Sequence, residues 1–388
     1  MAPRTVSSGR TQAFPWERMF LDVDKLAGLV CEDLRDSEPK SCGVGAAGFN
    51  GKMSEKRMIA ITGSTGFVGR HVVARLLAES GVELRCLRRR PLPRASEEYP
   101  EESGRIHEVL GDVVEGVGLE ELLEGAWGVI NLAGNRDFWS PSRGTYYDLN
   151  HRGAENVFRV AAEAGVRKAV QVSTPLAFGV PERIPFDETD VAGPHPSDYA
   201  RSKFLGDRAA WAFHDDGRLP LTVVHLAAVI GAGDPRPTME VGRAVKGNLP
   251  ALVGADTTYT YVHVRDAAEA IVRALFSDRA TGRAYLVGTE RATTREYFEI
   301  IGKLADVPAP TLNFPESLLL PVAYAMEWVA SFTGQRPLLP VDILKTTQAG
   351  SLLFDGSRAV EELGLEYQSL EQALRESVAE IRKEPSRS

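Results

Sequence analysis

Met58-Ile59-Ala60-Ile61-Thr62-Gly63-Ser64-Thr65-Gly66-Phe67-Val68-Gly69 is a short apolar run that breaks into a turn with three glycines in seven residues. A helix-length amphipathic stretch, Val68 to Ser80, continues from it. A strand that turns in this way into a helix brings backbone amides close to a pyrophosphate, and the helix N-terminus adds partial positive charge. The glycine spacing alone is weak evidence. Placed on the first strand of an alternating pattern it points to a dinucleotide, with Gly63, Thr65, Gly66, Phe67, Val68 and Gly69 as the contacts.

Outward from that turn the alternation persists. Val82 to Leu87, Arg105 to Leu110, Trp127 to Leu132, Ala169 to Ser173 and Leu221 to Ala227 read as strands, and Ala284 to Val287 as a seventh. Leu119 to Glu124, Tyr146 to Ala164 and Ser197 to His214 read as helices between them. Strands separated by helices imply crossover connections, so the expected fold class is α/β, a doubly wound parallel sheet of the Rossmann type. The dinucleotide-binding domain then spans residues 58–230. After about residue 231 Gly and Pro become frequent, which predicts a smaller C-terminal substrate lobe over residues 231–384. Thr258 to Val264, returning towards the sheet, and a helix from Arg265 to Phe276 make that lobe interleaved with the first domain. Residues 1–57 show little periodicity beyond a short amphipathic stretch, Trp16 to Leu34, and read as a disordered or mis-started extension.

Composition narrows the function classes. At ~150 residues per domain, 388 residues suffice for two or three domains or one large α/β unit. The hydrophobic 43% and charged 25% are globular averages and exclude a mainly disordered chain. With 53 acidic against 45 basic residues, the net charge of −8 gives no electrostatic reason to seek nucleic acid or an anionic membrane. Small molecules are the expected partners. Cys31, Cys42 and Cys86 form neither a disulfide framework nor a zinc motif, no metal cluster is expected, and a reducing cytoplasmic setting fits. The nearest approach to a membrane span, Phe314 to Phe332, is broken by Glu316, Pro321 and Glu327. It reads as a buried or pocket-lining helix, with a membrane-surface helix as the alternative.

The chemistry-bearing residues fall at the carboxyl ends of the strands, where such a sheet binds its ligand. The second strand ends on Leu87-Arg88-Arg89-Arg90 rather than on a carboxylate. Guanidinium groups there suit a 2′-phosphate, so NADP(H) is the favoured cofactor, Arg88 its first contact and NAD(H) the alternative. Asp112 and Val113 close the third strand, with the Asp112 carboxylate able to accept from an adenine amino group. Leu132, Ala133 and Gly134 close the fourth, where small residues let the chain lie against the cofactor. Tyr199 and Lys203 stand four apart on a helix, one turn from each other on one face. A nearby ammonium lowers the phenol pKa, ordinarily near 10, towards a useful value. Thr174, 25 residues before Tyr199 at the end of the fifth strand, offers a hydroxyl to the same crevice. Thr174, Tyr199 and Lys203 are the candidate proton-transfer set.

These residues resemble the extended short-chain dehydrogenase/reductases, the NAD-dependent epimerase/dehydratase family. The resemblance covers about residues 57 to 384. It rests on TGSTGFVG (62–69), Gly111-Asp112, NLAG (131–134), YYDLN (146–150), VSTPLAFG (172–179), YARSK (199–203) and YVHVRDAA (261–268). It implies Thr174 as the catalytic hydroxyl, since Phe178-Gly179 follows at the family's spacing, with Ser173 as the second choice, and Asn150 as a support for cofactor or active-site water. The family's usual Arg-Pro after the sixth strand is here His225-Leu226. Pro175-Leu176 replaces the Asp-Glu pair of the sugar 4,6-dehydratases, which argues against dehydration. The better likeness is to dihydroflavonol 4-reductase-like and 3β-hydroxysteroid dehydrogenase-like members, including those labelled hopanoid-associated sugar epimerases. It implies NADPH-dependent reduction of a ketone, or the reverse oxidation, on an apolar small molecule near Phe138, Trp139, Phe178, Tyr324 and Trp328. A nucleotide-sugar epimerase retaining NAD and a non-catalytic NADP-binding regulator are the alternatives. The family also implies a homodimer built on the helices Tyr146 to Ala164 and Ser197 to His214.

Overall fold

The computed structural model describes residues 56–90, 103–234 and 240–383. The stretch Trp16 to Leu34 and the rest of the N-terminal extension lie outside the described residues.

Seven strands form one parallel sheet: β1 (Arg57–Thr62), β2 (Val82–Arg88), β3 (Ile106–Leu110), β4 (Gly128–Asn131), β5 (Lys168–Ser173), β6 (Leu221–Leu226) and β10 (Arg283–Val287). Their order is β10-β6-β5-β4-β1-β2-β3, so the direction of winding reverses between β1 and β4. That reversal is the switch point at which ligands bind in a doubly wound sheet. The seven strands expected from periodicity are these seven. Near-continuous apolar runs formed them because both faces are covered, as a parallel sheet requires.

One face packs under α1 (Phe67–Leu77) and α7 (Val264–Phe276), in a core that includes Ile59, Ile61, Leu76, Leu84, Ile271 and Leu275. The other lies under α2 (Leu119–Leu123), α4 (Gly153–Glu163) and α5 (Asp198–Asp215), around Val129, Val157, Phe158, Leu221 and Val223. The single helix expected from Tyr146 to Ala164 is two, α3 (Gly144–Tyr147) and α4, joined by a π-helical turn at Asp148–Arg152. Such a wide turn re-aims a side chain, here that of Asn150. A Cβ on Gly206 of α5 would stand 2.1 Å from the Asn150 carbonyl oxygen, so the absence of a side chain there lets α5 lie directly on that turn.

The stretch Thr258 to Val264 does not join the main sheet. β9 (Thr258–His263) instead centres a three-stranded sheet between β11 (Glu290–Thr293) and β7 (Ala228–Ile230). The small lobe packs it against α6 (Glu240–Val245), α8 (Thr294–Ala305) and α12 (Leu370–Lys383), around Val241, Phe298, Ile301 and Leu374. Main-chain bonds clamp the loop after β5 to the far end of the chain: Phe186 N–H donates to Leu353 O at 3.2 Å and Asp355 N–H to Phe186 O at 2.8 Å. The Phe178, Phe186 and Phe354 rings pack tilted against one another behind that clamp, with centroids 5.1 and 5.9 Å apart.

The helix expected from Phe314 to Phe332, buried or pocket-lining, forms as α9 (Glu316–Thr333), but it is not buried. Of its residues only Ala323 and Ala330 are buried, while Leu318, Trp328 and Phe332 are 67%, 66% and 73% exposed. The cause is one-sided cover: α10 (Val341–Gln348) meets α9 at Val341 and Leu344 and leaves the opposite face open. Among the described residues no helix is long and apolar enough to cross a membrane.

Phe186 is wholly buried between Phe178 and Phe354, so Phe186→Ala should cost about 3–5 kcal/mol, read from the urea midpoint. His71 of α1 is held at about 4 mainly by burial, partly opposed by its contact with Phe67 O. The unfolded chain therefore takes up a proton below pH 6.5 that the folded chain refuses until about pH 4. Stability present above pH 6.5 should be lost as pH falls through that window, and urea melts of His71→Gln should show a flatter decline.

Candidate active site

The turn after β1 is shaped by close approach. Gly63 has φ +70°, and a Cβ there would stand 2.6 Å from the Leu132 carbonyl carbon at the end of β4. A Cβ on Gly69 would stand 2.1 Å from Gly63 O, so helix, turn and neighbouring strand end interlock only without side chains. α1 begins at Phe67 with no side-chain cap at Gly66 and no acidic residue in its first turn. Its first amides and partial positive charge are thereby left for an anion. The Ser64 hydroxyl, buried in the same turn, has no hydrogen-bond partner among the described residues. These features fit a pyrophosphate. Thr65 and Gly66 are exposed, and Phe67 is buried, so Phe67 contributes main chain rather than ring.

The remaining cofactor candidates stand along the same edge. Arg88 closes β2, yet its guanidinium is turned inward against Glu108 of β3, with Nε 3.0 Å from Oε1, and Arg89 and Arg90 are exposed beyond it. The Asp112 carboxylate accepts from Val114 N–H at 2.7 Å and stays half-buried, whereas the Val113 side chain belongs to the core under α4. Ala133 N–H donates to the Thr62 hydroxyl at 3.1 Å, which ties the end of β4 to β1. A Cβ on Gly134 would lie 3.0 Å from Asn150 Oδ1 and 3.9 Å from Lys203 Nζ, so the lack of a side chain keeps this corner open. Asn150 spends its amide on the protein: Oδ1 accepts from Asn135 N–H at 2.7 Å, and Nδ2 donates to Asn135 O at 3.0 Å and Ser202 Oγ at 2.9 Å.

Ser197 caps α5, accepting from Ala200 N–H at 3.2 Å, and so sets Tyr199 and Lys203 in the first turns of the helix. Lys203 is buried and donates from Nζ to Val172 O on β5 at 2.8 Å, beside Thr174. Burial pulls its pKa down, while the negative charge of Asp207 pulls it up. The Tyr199 ring meets Phe138 edge-on at 5.5 Å, which places that aromatic of the predicted apolar set at the reactive end. Thr174 is extended and half-exposed, and its hydroxyl accepts only a 3.4 Å contact from Leu176 N–H. Ser173, by contrast, is committed: its hydroxyl donates to Asp207 at 2.5 Å. Phe178 packs on His225 at 5.0 Å within the core, and Tyr324 and Trp328 sit on the exposed face of α9.

A row of buried polar side chains under these groups escapes the motif reading. Thr62 donates to Asn131 Oδ1 at 2.5 Å, Asn131 to Gln171 Oε1 at 2.8 Å, and Gln171 to Asp207 Oδ1 at 3.3 Å. The available signals were Asn131 and Gln171 interrupting apolar strands, and Asp207 four residues after Lys203.

Residues 59–288 match the NAD dependent epimerase/dehydratase family. A Synechocystis protein carrying the name dihydroflavonol 4-reductase is 29% identical over 330 residues, covering 82% of this chain and 92% of its own. Sterol demethylase protein B of Methylococcus capsulatus is 27% identical over 331 residues, covering 83% and 97%. The dTDP-glucose 4,6-dehydratase DesIV of Streptomyces venezuelae, solved with NAD, superposes with a TM-score of 0.68 over 84% of this chain and 97% of its own. At 21% identity that likeness shows the fold alone.

Because the Gly69 Cα faces Gly63 O, Gly69→Ala must open the turn. Dinucleotide affinity, read by quenching of intrinsic fluorescence, should fall at least about tenfold, or about 1.4 kcal/mol.

Proposed function

The chain belongs to the NAD-dependent epimerase/dehydratase family, and on that premise we propose that it is an NADP(H)-dependent oxidoreductase. It reduces a ketone, or oxidises the corresponding secondary alcohol, on an apolar small molecule. The observation that supports this reading is that Tyr199 and the buried Lys203 stand one turn apart on α5, with Lys203 bonded to Val172 O two residues before the half-exposed Thr174.

The glycine turn of β1–α1, with Ala133 and Gly134, holds the dinucleotide, which when bound exchanges a hydride with the substrate carbon. Among the described residues Lys203 has one hydrogen bond to the protein, and its other N–H donors would be left for ribose hydroxyls of the dinucleotide. Its charge also lowers the phenol pKa of Tyr199. In the reductive direction Tyr199 gives its proton to the substrate oxygen, and in the oxidative direction it takes that proton back. Thr174 donates to the same oxygen and fixes its position. Phe138, edge-on to Tyr199, forms an apolar wall at the reactive end.

Preference for NADP(H) is supported by the run Arg88-Arg89-Arg90 in place of a carboxylate at the end of β2. With Arg88 held by Glu108, the exposed Arg89 becomes the first contact for a 2′-phosphate. The names of the dihydroflavonol reductase and sterol demethylase relatives support a ring ketone or alcohol of low polarity.

The purified protein should oxidise NADPH, followed by absorbance, when given a ketosteroid or a dihydroflavonol. Tyr199→Phe should cut kcat by roughly 10²–10⁴-fold with the NADPH Kd unchanged. Arg89→Asp should lower the ratio of kcat/KM for NADPH over NADH. A protein that purifies with bound NAD and consumes neither cofactor would replace this reading with an epimerase.

A further inference from the structure

Lys203 has its side chain out of water, with one backbone carbonyl to replace its hydration. An ammonium in that position loses its proton unless a counter-charge stands near. Three elements meet around it. On its own helix, Tyr199 precedes it by one turn and Asp207 follows by one turn. On β5 lies Val172 O, and on β6 His225. The charge of Asp207, one helical turn on, opposes the lowering of the Lys203 pKa by burial.

Donors hold the Asp207 carboxylate on two sides, Ser173 at Oδ2 at 2.5 Å and Gln171 at Oδ1 at 3.3 Å. His225 adds no competing cation. Its Nδ1 lies 3.2 Å from Thr174 O and 3.8 Å from Asp207 Oδ2. A carbonyl oxygen can only accept, so Nδ1 carries the ring proton and donates it to Thr174 O. Burial lowers the His225 pKa and keeps the ring neutral. A permanent cation at position 225 would share the carboxylate, whereas the neutral imidazole leaves its charge to Lys203.

We propose that Asp207 is the positioning residue that keeps Lys203 an ammonium beneath Tyr199, while neutral His225 leaves that charge undivided and holds the strand end that displays Thr174. The proposal rests on the proton-transfer roles given above to Tyr199 and Lys203. It is nevertheless testable without substrate, through the ionisation of Tyr199 itself. The chain of effects has a definite sign: without Asp207, burial of Lys203 acts unopposed and lowers its pKa further, a lysine that gives up its proton more readily favours the phenolate less, and Tyr199 ionises at higher pH.

The test is a tyrosinate absorbance titration of the full chain, each protein read against its own Tyr199→Phe counterpart so that only Tyr199 contributes. Asp207→Asn should move the Tyr199 midpoint up by about one pH unit or more. Lys203→Met should produce a shift in the same direction, and the double variant no more than either alone. An unmoved midpoint in a folded Asp207→Asn overturns the proposal, whatever happens to its melting temperature. If Asp207→Asn fails to fold, Lys203→Met/Asp207→Asn decides the matter. Recovery of a folded chain when both charges are removed supports the pairing, and continued failure overturns it. Turnover by Tyr199→Phe would defeat the oxidoreductase reading instead, and leaves this titration intact.

Discussion

An ammonium removed from water must be compensated by charge and hydrogen bonds, or the fold gives up either the charge or stability. In this chain Lys203 imposes that constraint, and the polar features of three strand ends converge on it. Val172 presents its carbonyl, Ser173 commits its hydroxyl to Asp207, and the next residue, Thr174, stays half-exposed. Ser173 is the last residue of β5, and Thr174 follows it in extended backbone as the cap of the next turn. The row from Thr62 through Asn131 and Gln171 extends the same compensation across β1 and β4. Each of its members donates to the next until the last reaches a carboxylate, so no buried amide or hydroxyl in it is left unpaired.

The glycine turn obeys a second constraint, one of volume. Gly63 and Gly69 are required because β4, the turn and α1 approach within distances that no Cβ tolerates. The result is an uncapped helix N-terminus beside the reversal of winding, where two neighbouring strands leave a crevice. The π-helical turn at Asp148–Arg152 serves the opposite wall. By widening the helix at Asn150 it braces the loop after β4 against α5, which holds Gly134 next to Lys203.

Much of this was legible in the order of residues. Buried parallel strands are apolar throughout and bounded by turn residues, so all seven could be placed to within a residue or two. Tyr199 and Lys203 share a helix, and four-residue spacing suffices to bring them together. Other features were not legible for specific reasons. Asn150 bonds to Asn135 and Ser202 on two other segments, and no local pattern encodes a contact made at a distance. β9 pairs with β7 and β11 rather than with the main sheet, because strand pairing depends on partners outside the strand. The apolar composition of α9 suggested burial, but composition does not say which faces the neighbours cover.

The amino-acid sequence by itself determined the α/β class, the glycine turn and the position of Tyr199 and Lys203 one turn apart on one helix, because each depends on periodicity or on residues adjacent along one element. Only the tertiary structure decided which hydroxyl at the end of β5 is free, where the Arg88 guanidinium points, and that Asp207 and a neutral His225 lie behind the lysine. Those outcomes depend on burial and on hydrogen bonds between segments far apart in the chain. Desolvation, which sets the charge of a lysine or a histidine, exists only once the surrounding elements have closed over it.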